Sequence, residues 1–255
     1  MSRVIWVVGA GRGIGRVVAE TFANAGDKVA LASRTLSEVS EVAATIRAAG
    51  GQAEAFCCDV GRTESVEQCI VAVRERFGDP DVLVNSAGIA ESAPITRMPM
   101  ELWMRTLETN LTGAFRLTQA CLPAMVAKKW GRVIHIGSIA SKAGMKYVSA
   151  YCASKHGLLG FVRAVALEVA DRGITINAIC PAYVNSPMTD GNVERISQAT
   201  GRSPEDILEH MRAVSPQHRL IDSDEVAQMS LYLASDAARG INGQGINICG
   251  GAVMS

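Results

Sequence analysis

The sequence predicts an α/β fold with one doubly wound parallel sheet of about seven strands and helices on both faces. Short apolar runs alternate with longer segments of helical periodicity along the whole chain. Several runs are apolar at every position, which is typical of strands covered on both faces. Because the order strand, helix, strand repeats almost to the C-terminus without a linker, we interpret residues 1–255 as a single domain.

The individual elements follow from this alternation. Predicted strands lie at 4–8, 28–32, 53–57, 82–84, 133–136, 174–179 and 245–248. Predicted helices lie at 14–25, 36–49, 63–77, 100–128, 149–171 and 223–234. An irregular stretch rich in Ser, Pro, Asn and Gly holds two shorter predicted helices, 193–199 and 204–213. Long insertions after a strand's carboxyl end lie where open sheets bind ligands, so we expect a substrate lid at about 186–215.

The composition excludes several classes of function. Lys+Arg and Asp+Glu both number 25, so the formal net charge is +0 and no overall positive field attracts nucleic acid. No apolar run is long enough for a membrane span or, within MSRVIWVVGAG, a signal sequence, so we expect a cytoplasmic protein. The seven cysteines form no CxxC pair and the four histidines show no ligand spacing, so we expect reduced thiols and no metal site.

A glycine-rich turn follows the first predicted strand and opens the first predicted helix. It reads Gly9-Ala10-Gly11-Arg12-Gly13-Ile14-Gly15. Glycines let the backbone turn tightly against a pyrophosphate, and the helix start offers free N–H groups with the positive end of its dipole. In this context the turn predicts a Rossmann-type dinucleotide site.

The end of the second predicted strand indicates which dinucleotide binds. NAD-preferring sites carry Asp or Glu there for the ribose 2′-hydroxyl, whereas this chain has Ser33 and Arg34. Ser33 has no charge to repel a 2′-phosphate, and Arg34 can pair with one, assisted by Arg12. We therefore expect NADPH/NADP+; NADH/NAD+ is the alternative, in which both arginines are only solvated.

Tyr151, Lys155 and Ser138 form the predicted catalytic group. A spacing of four places Tyr151 and Lys155 on one helical face, where the ammonium is expected to lower the pKa of the phenol. Tyr151 then gives a proton to a nascent alkoxide or takes one from an alcohol. Ser138 follows a predicted strand at the same edge as the glycine turn, from where it donates a hydrogen bond to the substrate oxygen.

Asn110 lies in the middle of the predicted helix 100–128. Asn has a low helix propensity at such a position. We interpret it as the site of a kink that lines the active site and holds a water near Lys155.

With these motifs in this order, the sequence resembles the short-chain dehydrogenase/reductases over essentially its whole length. The resemblance implies that Asn110, Ser138, Tyr151 and Lys155 are the catalytic tetrad. It also implies cofactor contacts from Asp59 and Val60 at the adenine, from Asn85, Ala87 and Gly88 behind the cofactor, from Tyr151 and Lys155, and from Pro181, Val184 and Ser186 beside the nicotinamide. Four positions depart from the family pattern, namely Val8, Ser86, Ala182 and Ser186. None of them removes a proton donor or acceptor from the tetrad.

Within the family, segments 108–113 and 153–157 look most like those of 3-oxoacyl thioester reductases and aromatic polyketide ketoreductases. The leading hypothesis is therefore an NADPH-dependent ketoreductase with Tyr151 as general acid. One alternative is an NAD-dependent secondary alcohol or hydroxy-acid dehydrogenase working oxidatively, and another is a non-catalytic dinucleotide sensor. Candidates for the substrate pocket, or else for simple core filling, are Met145, Tyr147, Tyr183, Met188 and Met211.

Two surfaces suggest partners. Lys128, Lys129 and Arg172 form either a basic patch for an acyl carrier protein or a set of solvated side chains. Segment 158–170 is apolar almost all round, so we expect it to pack on the sheet and on a second subunit. The resemblance implies a homotetramer.

Overall fold

The computed structural model describes residues 2–254. Within them, seven parallel strands form one sheet in the order β3-β2-β1-β4-β5-β6-β7. The strands are β1 (Val4–Val8), β2 (Lys28–Ser33), β3 (Gln52–Cys57), β4 (Val82–Asn85), β5 (Gly131–Ile136), β6 (Ile174–Pro181) and β7 (Gly245–Ile248). The predicted fold class is thus confirmed. The strand order reverses between β1 and β4, which is where open α/β sheets bind ligands.

Helices cover both faces of this sheet. They are α1 (Gly13–Asn24), α2 (Leu36–Ala48), α3 (Thr63–Phe77), α4 (Met100–Leu107), α5 (Gly113–Lys128), α6 (Ser149–Glu168), α7 (Pro187–Thr200), α8 (Pro204–Ala213) and α9 (Ser223–Leu233). Neighbouring residues of β1 face opposite layers. Trp6 packs with Leu117 and Leu158 of α5 and α6, whereas Ile5 packs with Phe22 of α1. Each layer buries one apolar face of the sheet, and this burial is the main stabilising contribution.

The burial of the strands explains their sequence pattern. Every residue of β1, β4, β5 and β6 is buried. These strands have neighbours on both sides and helices on both faces, so apolar residues are favoured at every position. The edge strands β3 and β7 are partly exposed.

The long helix predicted at 100–128 is divided into α4 and α5 by a π-helical turn, Glu108–Thr112. Gly113 N–H donates to the carbonyl of Glu108, five residues earlier. Asn110 lies inside this turn, so an irregularity occurs where the sequence predicts a kink.

The lid segment contains more helix than the sequence predicts. The helix expected at 193–199 begins at Pro187, because Ser186 is extended as its N-cap residue and proline suits the first helical position. The Asp190-Gly191-Asn192 stretch has low helix propensity, which hides this start in the sequence. The prediction for α8 is confirmed at both ends. Within residues 2–254, no helix has both the length and the apolar character needed to cross a bilayer.

Candidate active site

Four segments meet at the carboxyl edge of the sheet, where the strand order reverses. They are the glycine turn after β1, the loop after β4, Ser138 after β5 and the loop after β6. The strand register brings them together, because Val8 pairs with Asn85, Asn85 with His135, and Ile136 with Ile179. The predicted site residues from distant parts of the sequence therefore share one edge.

Ser138 is held in a rigid turn directly after β5. Its backbone is extended, and its hydroxyl oxygen accepts a hydrogen bond from the Ala140 N–H at 3.1 Å. The Ser141 hydroxyl in turn accepts the Ser138 N–H at 3.2 Å. This capping box orients the Ser138 side chain and leaves its hydroxyl hydrogen available to a neighbouring oxygen.

Tyr151, near the start of α6, is the partner of Ser138. Burial raises the pKa of Tyr151 to about 12, and a hydrogen bond with the Ser138 hydroxyl acts in the opposite direction. The sequence predicted a phenol pKa lowered through Lys155, and that expectation is wrong, because burial raises the pKa instead. The phenol is therefore protonated near neutral pH and interacts with the Ser138 hydroxyl.

Lys155 lies one turn further along α6 and is 4% exposed. Its Nζ donates to the carbonyl of Ile136 at 2.7 Å and lies 5.6 Å from the centroid of the Tyr151 ring. The ammonium therefore contacts the face of the ring, which explains why it does not control the pKa of the phenol. Burial lowers the pKa of Lys155 to about 8. An ammonium has three donors, and the one to Ile136 leaves two for a cofactor ribose.

Asn110 is 1% exposed and uses its whole amide group for structure. Its Oδ1 accepts the Ile89 N–H at 2.8 Å, and its Nδ2 donates to the Ile89 carbonyl at 2.9 Å and the Ser154 hydroxyl at 3.0 Å. The side chain thus joins the π-helical turn, the β4 loop and α6. Both amide hydrogens are bonded, so a water near Lys155 can contact this side chain only through the second lone pair of Oδ1; that water stays a prediction.

The glycine turn has backbone conformations and close contacts that only glycine allows. Gly9 has φ +81°, and a Cβ there would lie 2.6 Å from the Ala87 nitrogen. A Cβ on Gly15 would collide with the Gly9 carbonyl, because helix and turn approach closely there. Gly13 also has a positive φ, +55°, while Ile14 is partly buried and packs on the core. This cradle, opening onto the N-terminus of α1 without acidic residues in its first turn, fits a pyrophosphate.

The ribose end of the predicted cofactor site is formed by Ser33, Arg34 and Arg12. The Ser33 hydroxyl donates to the Thr35 carbonyl at 2.8 Å, which shapes the turn after β2. Arg12 and Arg34 are exposed, and neither forms an ion pair within the described residues. The sequence prediction missed Glu38, whose carboxylate lies against Gly11, 2.7 Å from where a Cβ would stand. Its place in the first turn of α2 brings this acid beside the glycine turn.

Asp59 and Val60 lie in the turn after β3. Asp59 Oδ1 accepts the Gly61 N–H at 3.0 Å, and the Asp59 N–H donates to the Ser65 hydroxyl at 2.9 Å. Val60 is buried under Gly113 of α5. The Asp59 carboxylate keeps a second oxygen for a ligand, whereas Val60 offers mainly its backbone.

Asn85, Ala87 and Gly88 form the loop after β4. Asn85 Oδ1 accepts the Ala87 N–H at 3.1 Å, and Asn85 Nδ2 contacts the ring of His135 at 3.3 Å. His135 is a site residue that the sequence analysis missed; the signal was a polar residue in an otherwise apolar central strand. Of the departures from the family pattern, Val8 and Ser86 are joined through their backbones, with Ser86 N–H donating to the Val8 carbonyl at 2.8 Å.

Pro181 ends β6 and leads into the predicted nicotinamide segment. The Val184 carbonyl accepts the Ser186 hydroxyl at 3.3 Å and the Thr189 hydroxyl at 2.6 Å. Val184 also forms an isolated parallel bridge with Ile221, which joins the two ends of the segment predicted as a lid.

Three segments linked by hydrogen bonds form the rim of the site, namely the loop after β4, the loop before α6 and helix α7. The Ala93 N–H donates to the Tyr147 carbonyl at 2.7 Å, and Arg195 Nη2 of α7 donates to the Ala90 carbonyl at 3.3 Å. Tyr147 and Met188 are exposed, as a pocket wall requires. Met211 is instead buried between α7 and α8. Of the two alternatives for this residue, core filling is therefore confirmed, because it lies in the small apolar cluster between these helices.

The basic patch does not lie beside the site. Lys128 and Lys129 precede β5 and Arg172 precedes β6, at the amino edge of the sheet. The six residues of β5 separate that edge from Ser138 by roughly 20 Å. Lys128 pairs with Asp81 at 3.0 Å and Arg172 with Asp171 at 3.2 Å. Within one subunit, the patch is thus partly neutralised and faces away from the catalytic residues.

Known proteins resemble this chain over almost its full length. Residues 9–253 match a family model described as enoyl-(acyl carrier protein) reductase. The chain is 36% identical over 253 residues to 3-oxoacyl-[acyl-carrier-protein] reductase of Escherichia coli, covering 99% of this chain and 98% of that protein. It is 33% identical over 256 residues to D-beta-hydroxybutyrate dehydrogenase of Rhizobium meliloti, covering 98% of both. A variant of actinorhodin polyketide ketoreductase, solved with NADPH, superposes with a TM-score of 0.95 at 37% identity, covering 98% of this chain and 97% of that one.

A glycine cradle beside two hydroxyls and a buried lysine defines an oxidoreductase that acts on ketone or alcohol groups with a nicotinamide dinucleotide. The chain belongs to the short-chain dehydrogenase/reductase family.

Proposed function

We propose that this protein is an NADPH-dependent ketoreductase that reduces a 3-oxoacyl thioester or a polyketide-like ketone, with Tyr151 as general acid. The observation that carries the proposal is the convergence of Ser138 and Tyr151, whose hydroxyls are close enough for Ser138 to oppose the rise in the pKa of the phenol, beside Lys155. Two hydroxyl donors at one point suit a single carbonyl oxygen on which negative charge develops.

The chain's own residues have distinct roles in this mechanism. A bound NADPH supplies the hydride to the carbonyl carbon. The Ser138 hydroxyl orients the substrate oxygen, and Tyr151 transfers its proton to that oxygen as the charge forms. Lys155 would hold the cofactor ribose with its two remaining donors, and it keeps positive charge at the Tyr151 ring, which stabilises the phenolate left after proton transfer. Asn110 fixes the backbone behind Lys155.

The preference for NADPH rests on Arg12 and Arg34. Both guanidinium groups are exposed at the turn after β1 or β2, so they are accessible to a 2′-phosphate. Charge-assisted pairs of this kind are among the stronger hydrogen bonds in proteins. The relative solved with NADPH, actinorhodin polyketide ketoreductase, agrees with this preference.

The substrate class rests on the relatives. Carrier-bound 3-oxoacyl reduction and polyketide ketone reduction are the activities named for two of the proteins described above. Lys128, Lys129 and Arg172 lie at the opposite edge of the sheet from Ser138. If an acyl carrier protein docks on them, it would therefore deliver its substrate to the site of another subunit. The exposed Leu167 and Phe115 leave an apolar surface on α6 and α5, which supports assembly as a homotetramer.

A second candidate function is oxidation of a hydroxy acid or secondary alcohol with NAD. It is favoured by the similarity to D-beta-hydroxybutyrate dehydrogenase and by the Glu38 carboxylate beside Gly11. The same tetrad serves this direction, with Tyr151 accepting a proton.

The test is an absorbance assay of reduced cofactor with NADPH and NADH in parallel. The substrates are a 3-oxoacyl thioester, a bulky bicyclic ketone and a 2-enoyl thioester, since the family model bears an enoyl reductase description. Rapid NADPH oxidation with either ketone supports the proposal. Turnover of only the enoyl thioester, or only NAD reduction by hydroxy acids, overturns it.

A further inference from the structure

His135 is a buried polar residue in the middle of the sheet, and the proposed mechanism leaves it without a role. It lies on β5 opposite Asn85 of β4 and is 0% exposed. The other three histidines, His156, His210 and His218, are all exposed. A buried imidazole is unfavourable unless both ring nitrogens find partners, and those of His135 do.

The directions of the hydrogen bonds around His135 determine its tautomer. The Thr118 hydroxyl donates its one hydrogen to the Ala114 carbonyl at 2.8 Å. It can therefore only accept from His135 Nε2, which lies 3.1 Å away. Nε2 thus carries the ring hydrogen, and Nδ1 is an acceptor.

This tautomer also determines the orientation of the Asn85 amide. His135 Nδ1 accepts from Asn85 Nδ2 at 3.3 Å, so Asn85 Oδ1 faces the Ala87 N–H and accepts it at 3.1 Å. A reversed amide would place two donors together at Ala87. The chain of bonds therefore runs in one direction, from Ala87 through Asn85 and His135 to Thr118.

The surroundings of the ring keep it neutral. Burial lowers the pKa of His135 to about 3, and the positive charge of Lys155 acts in the same direction. The edge of the Phe161 ring packs against the imidazole at 6.1 Å between centroids. A neutral ring preserves the acceptor that Asn85 needs.

Ala87 and Gly88, at the other end of this chain of bonds, touch both halves of the site. The Ala87 nitrogen lies directly under Gly9 of the glycine turn. The open side of Gly88 faces Asn110 Oδ1 and Lys155 Nζ, at 3.3 and 3.8 Å from an added Cβ. A shift of this loop therefore displaces the cofactor cradle and the catalytic lysine together.

We propose that His135 is a positioning residue for the nicotinamide dinucleotide: its neutral Nε2–H ring fixes the Asn85 amide and thereby the Ala87–Gly88 loop on which the cofactor rests. This inference rests on the proposed dinucleotide-dependent function. It assigns no contact between His135 and substrate or cofactor.

The test compares two substitutions, one that removes the hydrogen-bond acceptor and one that removes side-chain volume. His135→Phe keeps an aromatic ring, slightly larger than imidazole, beside Phe161 but removes the acceptor for Asn85. His135→Asn loses volume but keeps a carbonyl oxygen close to the place of Nδ1. We expect the Kd of NADPH, measured by cofactor fluorescence, to rise about tenfold in the Phe variant and about twofold in the Asn variant. Equal weakening, or greater weakening in the Asn variant, would mean a packing role and overturn the proposal.

Two measurements on ligand-free protein keep the inference separate from the proposed function. Amide hydrogen exchange of Ala87 should quicken about tenfold in the Phe variant and little in the Asn variant. Nitrogen NMR of the wild-type histidines should show His135 protonated at Nε2 alone, with its signal identified by its loss in either variant. Protonation at Nδ1, or unchanged Ala87 exchange in the Phe variant, contradicts the positioning role even if NADPH binds. Failure of wild-type protein to bind either dinucleotide contradicts the proposed function instead.

Discussion

The Lys155 ammonium lies over the face of the Tyr151 ring, 5.6 Å from its centroid, and donates to the Ile136 carbonyl instead of contacting the phenol oxygen. The side chain that acts on the phenol oxygen is Ser138. The site therefore rests with Tyr151 protonated, which is the state that reduction of a ketone requires. Lys155 places its charge at the ring face, and in the proposed mechanism its remaining donors would bind the cofactor ribose.

Tyr151→Phe should bind NADPH as the wild-type protein does but lose most turnover, because the proton donor is gone while the ring and its contact with Lys155 remain. General acid catalysis is typically worth about 10²–10⁴-fold, so we expect kcat to fall by that factor. Steady-state kinetics and cofactor fluorescence measure the two effects. Ser138→Ala is the matched control for the second hydroxyl and should also lower kcat. Near wild-type turnover of Tyr151→Phe would refute the assigned role.

Arg34→Glu should shift the cofactor preference toward NADH. The substitution removes a cation and places a carboxylate where a 2′-phosphate is expected, and hydrogen bonds to charged groups are worth about 1.5–3 kcal/mol. We therefore expect the ratio of kcat/KM for NADPH over NADH to fall at least about tenfold. Arg47→Glu, on the exposed side of α2 away from the turn, is a charge-matched control. An unchanged ratio in Arg34→Glu would show that Arg34 does not contact the 2′-phosphate.

Acid should destabilise the folded protein partly through His135. Its pKa is about 3 in the folded chain against an ordinary value of 6.5. Between these values the unfolded chain binds a proton that the folded chain does not, so the free energy of unfolding falls as the pH drops through this range. At pH 4.5 the loss attributable to His135 is on the order of 3 kcal/mol.

Urea unfolding at pH 7 and pH 4.5 measures this contribution. Of the groups that act on or contact the ring, Lys155 is charged, whereas Asn85, Thr118 and Phe161 are neutral. Since carboxylates also titrate in this range, the His135→Asn variant provides the reference. An equal loss of stability on acidification in variant and wild type would contradict the prediction.

Tyr147→Gly should stabilise the fold. Tyr147 has φ +66°, a left-handed conformation that is unfavourable for a residue with a Cβ atom, and the residue is 63% exposed. Glycine relieves that conformation at some entropic cost, so we expect a net gain of up to about 1 kcal/mol. Tyr147→Ala removes the ring but keeps Cβ and should give no gain. Denaturant midpoints compare the two, and equal values for both variants would mean that the backbone conformation is not the cause.

Leu167→Glu should weaken self-association. Leu167 is 82% exposed on α6 and follows the apolar residues Ala164, Val165 and Ala166. Burying a carboxylate in a subunit contact is energetically unfavourable compared with leaving it in water. The expected homotetramer should therefore dissociate toward smaller species. Light scattering after gel filtration measures the mass, with Glu168→Gln as a neighbouring control. A wild-type monomer, or an unchanged assembly in Leu167→Glu, would remove this face from consideration.

Much of the fold was predictable because local rules decide it. The bounds of β1, β7, α3 and α8 agree with the sequence pattern, since apolar runs and helical periodicity are properties of neighbouring residues. The start of α7 was missed because Asp190, Gly191 and Asn192 have low helix propensity. The helix is stabilised by the packing of Val193 against α8. The division of the long helix at Asn110 was indicated by one residue, although its π-helical form depends on bonds to Ile89 and Ser154.

The sequence alone determined the parallel sheet, the glycine cradle and the shared helical face of Tyr151 and Lys155, because backbone sterics and periodicity act over a few residues. The place of the basic patch already follows from the parallel sheet, because Lys128, Lys129 and Arg172 precede strands and therefore lie at the amino edge. Only the tertiary structure decided where the Lys155 ammonium points, since Lys155 lies on α6 and its acceptor, Ile136, lies on β5. The same holds for the link of Asn85 to His135, made by the pairing of β4 with β5. Such relationships depend on which strands become neighbours and on which side chains become buried together, and both arise only when the whole chain has folded.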